Sequence, residues 1–450
     1  MMCDVILAMN KDGGIGLNGK LPWRCREELK LFRQKTMGGL LVVGRKTAES
    51  LPPLRGRKMI VVSDRVNAEM KHIQGCIGRI DDNVFDFELS RERRPIFIIG
   101  GAQLYNKMFS ELSHRIRRIH LSIMKKDYRC DTFVKLNYID WVIEERTKYD
   151  EFTHYVLVRE SSGEKQYLSL LKDVYENGWE KKGRNGLTKS MFGKTLEFDL
   201  RKGFPLLTTK KMFFRGIVEE LLFFIRGDTD TKKLEEKKIN IWKGNTSREF
   251  LDSLGMGSRR EGVMGQMYGY QWRNFNAPYD EEKACFREAG LDQLRIVIDQ
   301  IKNDPHSRRI LLTDYNPLQA HEGVLYPCHS ITIQFYVQEG YLDMFCYNRS
   351  SDLFHGLPFN IASSALFHTL ISKVTGLVAR KFILSLGDCH IYQSHYDVVQ
   401  RQLKRSPFRF PRLQISKELN DIDDIERMEY NDFTLENRFS HSVLKVKMVV

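Results

Sequence analysis

The segment LYPCHSITIQF, Leu325 to Phe335, sets a thiol, Cys328, and an imidazole, His329, between a proline and an alternating run of strand type. A lone cysteine is most often inert core filling. As a nucleophile it needs cationic neighbours that favour the thiolate. The same half of the chain supplies them: HSRRILL carries Arg308 and Arg309, GRNGLTKSMFG carries Arg184, and CYNRSSDLFHGLPFN carries Arg349 beside Ser350. Guanidinium forks with a serine hydroxyl also describe a clamp for a phosphate monoester, so one cluster can hold an anion and bias the thiol. In VEELLFFIRG, Glu219 and Glu220 lie among leucines and phenylalanines, so at least one faces the interior, where carboxylates are paired or functional.

The first half offers different chemistry. GIGLNG, Gly14 to Gly19, spells a dinucleotide fingerprint, but Lys20, Leu21, Pro22 and Trp23 intervene where a helix must open, which argues against a Rossmann-type dehydrogenase. Two other junctions, LLVVGRKTAES and IFIIGGAQLY, each run strand, glycine, helix and leave backbone N–H groups free for phosphate. Between them, LPWRCREELKLFRQKT has an apolar helical face of Leu29, Leu31 and Phe32 with Glu28 beside it, either a favourable first-turn charge or a site acid.

The elements that position these residues fall into two patterns. From Cys3, short apolar runs (CDVILAM, LLVVG, MIVVSD, PIFIIGG, IHLSIM) alternate with helical stretches, the rhythm of an α/β sheet, and WVIEERTKYDEFTHYVLVRE reads as two strands that close it. The small polar stretch SSGEKQ marks a boundary. Beyond it, long helices such as RGIVEELLFFIRG and FNIASSALFHTLISKVTG mix with the strands SITIQFYV and YLDMFCYNRS in one α+β domain, and DTDTKKLEEKKINIWKGN reads as a solvated helix. The expected division is 1–160, a linker at 161–164, and 165–450.

With 42% hydrophobic and 29% charged residues, the 450-residue chain is an ordinary globular sequence. Its eight cysteines are scattered with no CxxC pair, which points to a reducing compartment and no metal site. There is no basic leader and no apolar run of membrane-spanning length, so a soluble cytoplasmic protein with no membrane partner is expected. The net charge of +13 suits anionic partners. No nucleic-acid module accompanies it, and no nucleic acid is required.

LPW with an acid five residues on, VVGRKT, LRGRKMIVVS, IFIIGGAQLY and CDTF together resemble dihydrofolate reductase over residues 1 to about 160. The resemblance implies an α/β domain with a central mixed, mainly parallel sheet and flanking helices. Glu28 would be the active-site acid that hydrogen-bonds the pterin and assists protonation of N5, supported by Thr132. Phe32 would pack on the folate and Arg57 clamp its α-carboxylate. NADPH would lie along Ala8, Gly16, Gly44, Arg45, Lys46, Thr47, Ser63, Gly100, Gly101 and Tyr105, with Arg45 and Arg65 favouring it over NADH. Ala48 stands where the family usually has tryptophan, and Asp64 follows Ser63 where a basic or neutral residue is usual.

From about residue 165 to the end, FPLLTTKK, EELLFFIRGDT, YGYQWR, SRRIL, YPCHS, NRSSDLFHGLPFNIAS, GDCHIYQSH and KMVV resemble thymidylate synthase. By that resemblance Cys328 adds to C6 of dUMP and activates C5 toward 5,10-methylenetetrahydrofolate. Glu220 organises proton transfers, Tyr268 assists removal of the C5 proton, and Asn360 reads the uracil edge. His390 and Tyr392 hold the sugar; Arg184, Arg349 and Ser350 hold the phosphate; Arg308 and Arg309 reach over from a second subunit, which implies a homodimer. Asp352 and Trp242 belong to the folate side, and His329 supports water near the thiol. The two resemblances share a metabolite, since one enzyme makes the dihydrofolate that the other reduces.

Overall fold

The computed structural model describes residues 2–63, 73–137, 141–159, 163–183, 186–280 and 290–446. The chain divides into two compact units, Met1–Glu160 and Ser161–Val450.

The first unit is built on β1 (Cys3–Met9), β2 (Gly14–Gly16), α1 (Arg26–Thr36), β3 (Leu40–Gly44), α2 (Arg45–Ser50), β4 (Lys58–Val62), β5 (Gly75–Ile77), β6 (Ile96–Ile98), α3 (Ala102–Ser110), β7 (Ile116–Met124), β8 (Thr132–Phe133), β9 (Trp141–Lys148) and β10 (Phe152–Arg159). Among the described residues an eight-stranded sheet runs β5-β4-β3-β6-β1-β7-β10-β9. Only the pairings of β10 with β7 and β9 are antiparallel. Parallel strands covered on both faces carry continuous apolar runs; Leu40 to Val43 of β3 are all buried accordingly. The GIGLNG segment pairs as β2 with β8, and the next helix opens only at Arg26, so it is no Rossmann turn.

The second unit begins with α4 (Glu164–Asn177), followed by β11 (Trp179–Gly183), β12 (Gly186–Asp199), α5 (Phe214–Ile225), α6 (Lys232–Glu236), α7 (Arg248–Ser253), α8 (Gly269–Asn274), α9 (Gln293–Asn303), β13 (Leu311–Thr313), β14 (Thr332–Gln338), β15 (Tyr341–Asp352), α10 (Leu357–Val374) and β16 (Val378–Tyr392). Its six-stranded sheet has the order β11-β12-β16-β15-β14-β13, with β15–β16 the parallel pair. α5 and α10 are apolar nearly all round, which suits helices buried in a core. α8 crosses α5 so closely that a Cβ on Gly269 would sit 2.1 Å from the Phe224 carbonyl oxygen.

Two expectations at element ends are corrected. Glu164, assigned to the linker, opens α4 and is fully buried: the backbone N–H and hydroxyl groups of Thr208 and Thr209 donate to its carboxylate at 2.6–3.0 Å. The segment read as a solvated helix holds only the five residues of α6, and Leu234, Ile239 and Trp242 carry it into the core. No described helix is long and apolar enough to cross a membrane.

Candidate active sites

In the first unit, Glu28 occupies the first turn of α1 and is 8% exposed. Burial pushes its carboxyl pKa up, opposed by the neighbouring Ser122 hydroxyl. Ser122 is delivered by sheet register: on β7 it lies beside Ala8 of β1 and His154 of β10. The expected supporter, Thr132, does something else. Its hydroxyl donates to Asp131 Oδ1 at 2.8 Å, and its Cβ stands 3.2 Å from where a Gly16 Cβ would be. Arg57 Nη1 donates to Thr36 Oγ1 at 3.2 Å, and the guanidinium lies 5.8 Å from the Phe32 ring centroid. Its buried Nε has no partner among the described residues.

The two glycine junctions meet. Gly44 N–H donates to the Gly100 carbonyl at 2.6 Å, and a Cβ on Gly101 would lie 2.8 Å from Thr47 Oγ1. α3 opens at Ala102 with no side-chain cap, so its first N–H groups point outward at the positive helix end. With Lys46 exposed and Arg45 paired to Glu49 at 2.6 Å nearby, these residues fit the phosphates of a dinucleotide. Ser63 is held at the end of β4 by its N–H bond to Ile77, 2.9 Å. Tyr105 is buried, its ring against Gly100 and its hydroxyl donating to the Ile6 carbonyl at 2.6 Å. Ala48 is fully buried against Ile6, Leu41 and Val61, so it is a core position. Asp64 and Arg65 lie outside the described residues.

In the second unit, Cys328 is partly exposed just before β14, with Tyr268 Oη 3.5 Å from its Sγ. Tyr268 itself has φ +47° and ψ −109° at the start of α8, a conformation rare for a bulky residue and held here by packing on Phe224, Trp242 and His329. Burial raises the Cys328 pKa; Tyr268 and Arg349 oppose this, while Asp314 and Glu220 add to it. The arginine bias expected from the sequence is therefore present in Arg349 but outweighed by desolvation in the free protein.

Both acids of α5 point inward. Glu219 is buried against Lys237 at 2.6 Å. Glu220 is pushed up to about 7 by burial, against the Trp242 Nε1–H that donates to its Oε1 at 2.7 Å. Burial lowers His329 to about 4 and keeps it neutral.

The remaining predicted residues gather where β15 and β16 run parallel: Ser350 lies beside Asp388 and Asp352 beside His390. His390 Nδ1 is 2.9 Å from Asp388 Oδ1, and its ring stands edge-on to Tyr392. Asp352 Oδ1 accepts the N–H groups of Phe354 and His355. Asn360 sits in the first turn of α10. Arg349 Nε donates to the Pro327 carbonyl at 3.2 Å, which ties it to the Cys328 loop. Arg308 and Arg309 are exposed before β13, away from that cluster's own strands. Arg184 lies outside the described residues.

One residue had no sequence signal. Asp314, 1% exposed at the end of β13, has both carboxylate oxygens buried without a partner among the described residues, and burial pushes its pKa far up. An acid after an apolar strand looks like an ordinary strand end.

Residues 2–159 match the family model described as dihydrofolate reductase, and residues 165–450 the model described as thymidylate synthase. Named relatives align along nearly the whole chain. Bifunctional dihydrofolate reductase-thymidylate synthase of Paramecium tetraurelia is 36% identical over 466 residues, covering 99% of this chain and 98% of the relative. The protein of that name from Glycine max is 37% identical over 511 residues, 99% and 95%, and that from Leishmania major 34% over 496, 99% and 95%. The two family matches thus define an oxidoreductase domain joined to a methyltransferase domain. The chain belongs to the bifunctional dihydrofolate reductase-thymidylate synthase family and carries both activities.

Proposed function

We propose that the second unit converts dUMP to dTMP through a covalent bond from Cys328 Sγ to C6, and that the first unit reduces the resulting dihydrofolate at Glu28. The observation that carries the synthase reading is the Tyr268 hydroxyl 3.5 Å from Cys328 Sγ, with Glu220 held near neutrality behind it. A carboxyl with a pKa of about 7 can take and return a proton at working pH. Attack of the thiolate makes C5 nucleophilic toward the methylene of 5,10-methylenetetrahydrofolate, and Tyr268 assists removal of the C5 proton. Arg349, Ser350 and Arg184 hold the phosphate, His390 and Tyr392 the sugar, and Asn360 the uracil edge.

NADPH supplies the hydride to dihydrofolate when bound. Residues of the chain do the rest: Gly44, Gly100, Gly101 and Thr47 cradle phosphate, with Lys46 adding charge. Phe32 packs on the folate, Arg57 holds its carboxylate, and Glu28 manages the proton destined for N5. A homodimer through the synthase sheet is supported by the exposed Phe192, Tyr336 and Phe345 on its strands, an apolar face that a second copy would cover. Arg308 and Arg309, exposed near that sheet's edge, then reach the partner's phosphate.

The test is NADPH oxidation after adding only dUMP and methylenetetrahydrofolate to the full chain. Oxidation that needs both additions, and that Cys328→Ala abolishes while added dihydrofolate restores it, supports the scheme. Oxidation that persists in Cys328→Ala would overturn it.

A further inference from the structure

Behind Glu28 lies a histidine that none of the steps above uses. His154, 4% exposed, faces Ser122 across β10 and β7, with Nδ1 3.3 Å from Ser122 Oγ. Its Nε2 is buried and has no partner among the described residues. The ring stacks on His120 at 5.9 Å and 9°, and His120 Nε2 lies 3.6 Å from Asp4 Oδ2, a carboxylate that also receives the Arg117 fork at 2.9 Å. From α1, Lys35 adds a positive field.

The neutral ring has two tautomers with opposite effects on the serine. With the proton on Nε2, a buried N–H lacks an acceptor, and the Nδ1 lone pair draws the Ser122 O–H away from Glu28. With the proton on Nδ1, only a lone pair at Nε2 goes unused, and Nδ1–H occupies the serine oxygen. Orphaned buried N–H groups are the rarer case, so the second tautomer is favoured. Ser122, already accepting, then has its own proton free for the carboxylate.

We propose that His154 is a positioning residue of the reductase site: its Nδ1–H donates to Ser122 and thereby aims the Ser122 hydroxyl proton at Glu28. This rests on Glu28 being the site acid. Burial, with the fields of His120 and Lys35, lowers His154 to about 4, so the ring is neutral at working pH. Protonation below that adds a proton at Nε2 and leaves Nδ1–H in place, so the aim does not switch with pH. A fixed donor stabilises ionised Glu28 and lowers the pH at which the protonated acid runs out.

The experiment is the pH profile of kcat/KM for dihydrofolate in the full chain, with the Glu28 carboxyl titrated in parallel by difference infrared spectroscopy, its band assigned with Glu28→Gln. His154→Phe removes the donor at similar volume, and its alkaline limb is expected to move up by about half to one pH unit, roughly three- to tenfold more activity at a fixed pH on that limb. The protonated Glu28 band should persist by the same amount. His154→Asn, which offers an amide N–H in place of Nδ1–H, should restore the wild-type limb, and His154→Phe should add nothing in Ser122→Ala. His154→Leu gives the same reading if the phenylalanine variant does not fold. A lower Tm with an unmoved limb and band would make His154 a packing residue and overturn the proposal. If Glu28→Gln keeps the wild-type rate, it is the reading of Glu28 that fails, and the infrared titration in Ser122→Ala, His154→Phe and wild type still decides whether His154 acts on that carboxyl.

Discussion

Glu28 and Glu220 are both carboxyls raised by burial, one in each unit, yet each faces a different kind of partner. Trp242 offers Glu220 an indole N–H, which only donates and so always favours the ionised acid. Ser122 offers Glu28 a hydroxyl, which donates or accepts according to what holds it from behind. The synthase acid is thus tuned by one obligatory donor against burial, whereas the reductase acid is tuned by a hydroxyl whose direction a second residue can set. Burial supplies the same upward push in both; the neighbour's hydrogen-bonding repertoire decides how adjustable the result is.

The largest expected effect tests whether the two centres are chemically separate. Cys328→Ala should abolish dTMP formation, on the order of 10⁴-fold or more, while reduction of supplied dihydrofolate stays within about twofold of wild type. A parallel loss of reductase rate would break the separation. Next, Glu28→Gln should cost reduction roughly 10²- to 10⁴-fold near neutral pH and leave dTMP release unchanged, as shown by assaying each half-reaction alone.

A smaller change sharpens the contrast between the acids. Trp242→Phe removes the donor that opposes burial at Glu220 among the described residues, so its pKa should rise from about 7 by up to about one unit. The linked stability has a definite sign. An acid raised in the folded state binds its proton more tightly there, so its contribution is fully present below the ordinary value of 4.5 and is lost as pH rises through about 7. In Trp242→Phe that loss should extend to higher pH, visible as a Tm that keeps falling above pH 7 where the wild type has levelled off. A Tm–pH curve that simply shifts down in parallel would mean that the indole does not tune the acid.

The smallest effect concerns Asp314. Burial pushes Asp314 toward its neutral form, so Asp314→Asn is close to isosteric, and iodoacetamide should alkylate Cys328 at a rate within about twofold of wild type at pH 7. A tenfold faster reaction would show that Asp314 is ionised beside the thiol and suppresses the thiolate.

Local pattern reaches further in some elements than in others. β14, β15, α5 and α10 fall where their periodicity puts them, and the synthase residues they carry converge because strand and helix patterns there are long. The failures were local. Glu164 lies in a polar run of linker composition, but Thr208 and Thr209 satisfy it from 44 and 45 residues away. Thr132 stands in the recognisable CDTF motif, yet its hydroxyl goes to Asp131. The hydroxyl that reaches Glu28 comes instead from Ser122, in an apolar strand with no motif of its own.

By itself the sequence determined that there are two units, their order, their strands and helices, and the types of group each site uses. Those follow from periodicity, turn chemistry and residue identity, all of which are local along the chain. Only the tertiary structure decided that Ala8, Ser122 and His154 share one row of the sheet, that Trp242 rather than a cation faces Glu220, and that burial outweighs Arg349 at Cys328. Register between distant strands and depth of burial are properties of the packed chain, and they set hydrogen-bond direction and proton affinity.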